Sequence, residues 1–157
     1  MSNKLGLFLK DATRIVVIGM GNELRADDAV GLYVVRHLKP FVNERLKVFE
    51  GYMTPEAFIA PACTTKPSHV LIVDAAELGE QPGVWRLLSR NQIKNGLFTT
   101  HAIPASEVAL EIERRCSAKV RFLGIQPKIR DVSLSLSSEC TKTVHEITKA
   151  IRRIIEK

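Results

Sequence analysis

Acidic side chains at the ends of apolar runs are the first candidates for chemistry in this 157-residue sequence. Asp74 closes the run LIVD, where a buried carboxylate is costly unless it meets solvent, a hydrogen-bond donor or a metal. Two readings stand side by side: Asp74 accepts from backbone amides of the turn AAELG, or it works on a ligand. Asp27 and Asp28 follow the loop GNELRA and precede a helical stretch. One carboxylate is enough to cap that helix and complement its positive end, so at least one is available for other work. Of the 4 histidines, His37 and His145 fall inside predicted helices and His69 precedes a strand, whereas His101 lies in the loop TTHAIP. Asp28, Asp74 and His101 together make a mixed oxygen and nitrogen donor set. Such a set suits first-row divalent ions such as nickel or zinc, with coordination positions left open.

These side chains can meet only if the chain carries them to one place. Arg14 to Met20, RIVVIGM, is almost continuously apolar and rich in β-branched residues, which predicts a strand buried on both faces. Asp27 to Leu38 predicts a helix capped by the aspartates and stopped by Pro40. Leu46 to Glu50 reads as a second strand, and Thr54-Pro55 as a helix start. His69 to Ala75, Val84 to Leu88 and Lys119 to Ile125 read as further strands. THAIPASE opens a helix running to about Ser117. Val144, Ile147, Ile151, Ile154 and Ile155 stand at helical spacing in a last helix from about Ser138 to Glu156.

Strands alternating with helices predict an α/β protein, a single domain over residues 1–157. The expected form is a three-layer α/β/α sandwich with a largely parallel, twisted sheet of about five strands and helices on both faces. Residues 1–13 are expected to be a flexible leader. The common strand order 2-1-3 sets the end of the first strand beside the end of the third. The loop carrying Asp28 then lies next to Asp74, in the crevice where open α/β sheets hold their sites.

Composition and motifs remove several alternatives. Gly19-Met20-Gly21 begins a dinucleotide fingerprint, but Leu24 stands where the third glycine belongs, and the adjacent aspartates would repel a pyrophosphate. Neither HExxH nor GxSxG occurs. The 3 cysteines, Cys63, Cys116 and Cys140, form no CxxC pair and are expected to be reduced, packed thiols. The net charge of +6 gathers in the last helix and around Arg114, Arg115, Lys119 and Arg121. Aromatic residues do not interleave with these, so a solvated face is expected and no nucleic-acid partner. No apolar run reaches the ~20 residues of a membrane helix.

GNELRADDAVG closely resembles the GNxLxxDDGxG loop of the hydrogenase maturation endopeptidases, which trim the large subunit of nickel-iron hydrogenases. The likeness continues, in order, through EGYMTPE, LIVDAAELG, TTHAIP and FLGIQP, from about Arg14 into the terminal helix. FLGIQP and LIVDA are most similar to the branch that processes the formate-hydrogenlyase (hydrogenase 3) enzyme. The resemblance implies a hydrolase, an aspartic-type endopeptidase, with Asp28 and Asp74 as its catalytic candidates. It implies the same two residues and His101 as metal contacts, and Gly21, Asn22 and Asp27 as the supporting loop frame. It further implies no permanent cofactor: the nickel is carried by the hydrogenase large-subunit precursor, which is the expected partner. A cytoplasmic monomer is expected. A nickel-binding assembly chaperone without catalysis would use the same crevice and leave the mass of the precursor unchanged. Two positions depart from the family pattern. Ala29 replaces the glycine after the acidic pair, and Glu50-Gly51-Tyr52 replaces Asp-Gly-Gly, so Tyr52 takes backbone freedom from the crevice rim.

Overall fold

The apolar run at the start of the sequence forms β1 (Ile15–Met20), buried along its whole length. The computed structural model describes residues 2–94, 98–99 and 102–157. Its other strands are β2 (Leu46–Tyr52), β3 (His69–Glu77), β4 (Trp85–Leu88), β5 (Phe98–Thr99) and β6 (Lys119–Ile125). The helices are α1 (Ser2–Leu9), α2 (Val30–Leu38), α3 (Ile59–Thr64), α4 (Arg90–Lys94), α5 (Ala102–Cys116) and α6 (Ser138–Ile155). The main sheet runs β2-β1-β3-β6-β4. The first three neighbours pair in parallel, and β4 closes the edge antiparallel to β6. The expected α/β architecture and 2-1-3 order are therefore present. The two-residue β5, which no sequence pattern announced, pairs antiparallel with the end of β3.

Continuous apolar strands make sense because each feeds two cores, one per face. Val17, Leu71, Val73 and Leu123 pack with α1, α2 and α6. Their neighbours Val16, Ile18, Val70, Ile72 and Phe122 pack with Ala62 of α3 and with Val108, Ala109 and Ile112 of α5. Helix α6 buries Val144, Ile147, Ile151 and Ile155 as its spacing predicts, and Ser137 caps it by accepting from the Cys140 amide at 3.2 Å.

Two expectations need correction. Ser2–Leu9 is not part of a flexible leader, because it forms α1 and fully buries Leu5 and Leu9 in the core with Leu38 and Ile147. The i,i+4 pair Leu5 and Leu9 is the signal. Its brevity, with Gly6 between, is what hid it. Nor do the aspartates cap the first long helix. Ala26–Ala29 is a 3-10 turn leading into α2, and neither start carries a side-chain cap bond. The buried anchor of α1 predicts that Leu9→Ala lowers stability by about 2–4 kcal/mol in denaturant titration. A residue in a loose leader would leave the midpoint unchanged.

Candidate active site at the strand ends

Parallel strands put their carboxyl ends on one side, and α2 starts directly over the β1–β3 seam there. Gly19 pairs with Val73 across that seam. A Cβ on Gly19 would come 2.1 Å from the Gly31 carbonyl oxygen, and one on Gly31 would come 2.2 Å from that of Val73. Only backbone fits between helix and sheet. The chain from β1 to α2 must therefore turn back tightly. Gly21 does this at φ +137°, with space for a Cβ blocked at 2.0 Å by the Asp28 carbonyl oxygen.

That turn orients Asp28, which is 7% exposed. Its Oδ2 accepts from the Asn22 amide at 3.0 Å, while its own amide donates to the Arg25 carbonyl. Asn22 Oδ1 accepts from the Leu24 amide at 3.0 Å. Gly21 and Asn22 thus shape the turn that holds Asp28. Asp74 stands one residue past the last β1–β3 pair, opposite Gly124 of β6. It is 3% exposed, and its Oδ1 accepts from the Ala75 amide at 2.8 Å. The 3-10 turn carrying Asp28 packs against β3. Both carboxylates therefore belong to the same end of the sheet. His101 lies outside the described residues. On its two sides, Thr99 pairs with Ala76 of β3, and α5 begins at Ala102. Among the described residues, no three His, Cys, Asp or Glu side chains group as a metal site.

Asp27 is turned to different work. Fully buried, it accepts from the amides of Lys128 and Ile129 at 2.9 Å each through Oδ2 and of Ser137 at 2.7 Å through Oδ1. It ties the loop to the segment entering α6. Burial acts to raise its pKa, but the Ile129, Ser137 and Lys128 amides outweigh this and hold the carboxyl below its ordinary value.

Sequence reasoning missed a second tie, at the crevice rim. Arg36 of α2 bonds Glu23 of the loop and Glu50 of β2, each at 2.8 Å, and Lys39 reaches Glu50 at 3.1 Å. Burial would raise the Glu50 pKa, and the two cations reverse that and lower it. Tyr52 sits at φ +48°, the glycine-favouring region, where the family pattern has glycine. Its carbonyl accepts from the Gly21 amide at 2.8 Å and its hydroxyl donates to Glu50 at 3.2 Å. The departure at Tyr52 is thus held in the unusual conformation by the same network. An open cleft beside it is lined by Gly21, Asn22, Leu24, Tyr52, Met53 and Thr54. Leu24 is 57% and Met53 54% exposed there.

The family model "HycI: Hydrogenase maturation protease" matches residues 32–154. The chain belongs to the hydrogenase maturation protease family. As a member it is a hydrolase, an endopeptidase. A Methanocaldococcus jannaschii relative named as a hydrogenase maturation protease is 33% identical over 156 residues, covering 94% of this chain and 92% of the relative. The hydrogenase 3 maturation protease of Escherichia coli is 30% identical over 115 residues, 73% of each chain. Among solved structures, the [NiFe] hydrogenase maturation protease HycI of Thermococcus kodakarensis superposes with a TM-score of 0.90 at 25% identity, covering 98% of this chain and 99% of that one. The Escherichia coli endopeptidase HycI does so with a TM-score of 0.77 at 26% identity, over 87% of each.

The amide cage of Asp27 has a consequence for stability. A carboxyl acidified by folding stabilises the native state fully above its unfolded value of about 3.9, and that contribution fades as pH falls through the lower folded value. Asp27→Asn is expected to cost about 1–3 kcal/mol at neutral pH in denaturant titration. It should also flatten the loss of stability below about pH 4. Equal midpoints for the two proteins at neutral pH would contradict the tie.

Proposed function

We propose that this endopeptidase removes the carboxyl-terminal extension of a nickel-iron hydrogenase large-subunit precursor after nickel has been inserted. Asp28, Asp74 and His101 read the nickel that the precursor carries, so the metal arrives as part of the substrate and no resident cofactor is required. The observation that carries this reading is the meeting of the Asp28 turn with the end of β3, where two buried carboxylates are each oriented by a backbone amide. Such preorganisation suits a divalent cation better than a freely solvated pair would. The exposed Leu24 and Met53 at the adjoining cleft offer apolar contact to an approaching peptide.

In this reading, coordination of the substrate's nickel fixes the scissile peptide against the crevice, replacing a bimolecular search by a held geometry. One of the two carboxylates takes a proton from the attacking water, and the leaving amine is protonated as the peptide bond breaks. We place the reaction in the cytoplasm, with a single copy of the chain as the working unit. Asp28→Asn, Asp74→Asn and His101→Ala are each expected to slow removal of the extension from a nickel-loaded precursor by about 100-fold or more. Circular dichroism and the thermal midpoint of each variant should stay near wild type. Mass spectrometry of the precursor reads the outcome. Wild-type processing rates in all three variants would defeat the assignment, and an unchanged precursor mass with the wild-type protein would make the chain a chaperone.

A further inference from the structure

Helices α3 and α5 pack together on one face of the sheet. They bring into contact two thiols that lie 53 positions apart, with the Cys63 and Cys116 sulfurs separated by 2.8 Å. Both side chains are half-buried and pack on the core that contains Ala62 and Ile112. The bonded distance of about 2.04 Å lies a short movement away, because packing of the two helices has already oriented the sulfurs toward each other. Cys140 is buried in the other core, on the opposite side of the sheet.

We propose that Cys63 and Cys116 form an intramolecular disulfide that braces α3 against the carboxyl end of α5. Closure removes two electrons and two protons from the thiols, and the acceptor is a small external disulfide such as oxidised glutathione. One protein thiolate attacks it and releases a first glutathione thiol. The second protein thiolate then displaces the other glutathione from the mixed disulfide. Burial, and after it the neighbouring Cys116, push the Cys63 thiol up to about 12, opposite to the low values of fast redox sensors. The bond is a structural brace between the two packed helices. The loop it closes contains Asp74 and the start of α5, so the bond restricts in the unfolded chain the segment that supplies one wall of the crevice.

The test treats the purified full-length protein with oxidised glutathione, then alkylates and digests it without reductant. The expected map shows the Cys63 peptide joined to the Cys116 peptide and Cys140 alkylated. The oxidised protein should unfold about 5–10 °C above the reduced form. Cys63→Ala and Cys116→Ala should each abolish both the joined peptide and the difference in midpoint. Peptide mapping of the wild type decides the matter even where a variant folds poorly. Complete alkylation of both cysteines, glutathione adducts without a cross-link, or equal midpoints in the two redox states of the wild type would overturn the proposal.

Discussion

Helix α2 can begin over the sheet only because Gly31 has no side chain. A Cβ there would press 2.2 Å from the Val73 oxygen and 2.5 Å from that of Met20, and neither backbone group can yield without breaking strand pairing. This contact sets the height of α2 above the β1–β3 seam. It also forces the return at Gly21, where an added Cβ would press 2.0 Å from the Asp28 carbonyl oxygen. A helix held further from the sheet would carry Asp28 away from β3. The meeting of the Asp28 turn with β3 is thus a consequence of close backbone contact.

Burying three carboxylates near one crevice is expensive, and backbone amides meet part of that cost. Asp27 receives three of them, Asp28 that of Asn22 and Asp74 that of Ala75. At the rim, Arg36 and Lys39 hold Glu23 and Glu50. The amide bonds separate roles that look equivalent in the pair Asp27-Asp28. The first fastens the loop to the chain entering α6, and the second stays with the loop at the end of β3.

Much of this was legible beforehand because the relevant signals are local. Strands such as LIVD and RIVVIG announce themselves by unbroken apolar runs, and the spacing of Val144, Ile147 and Ile151 announces α6. Strand order then set the turn carrying Asp28 beside β3. What stayed hidden depends on contacts between distant segments or on elements too short for a period. Helix α1 offers one i,i+4 apolar pair interrupted by a glycine, and β5 is two residues long. Nothing in the DD pair says which carboxylate will meet amides about a hundred positions away. Cys63 and Cys116 likewise share no local motif, so their proximity emerges only from the packing of α3 on α5. Tyr52 is the instructive middle case, since comparison with the glycine of the family pattern marked the position while its φ and its hydrogen bonds needed the fold.

In the proposed reaction Asp28 and Asp74 act on one metal. A crystal of the full chain soaked with cadmium, a strongly scattering stand-in for nickel, tests this most directly. A single ion within coordinating distance of the Asp28 and Asp74 carboxylates and the His101 imidazole is the predicted result. Carboxylates that bind separate ions, or an occupied site that includes neither, would contradict it.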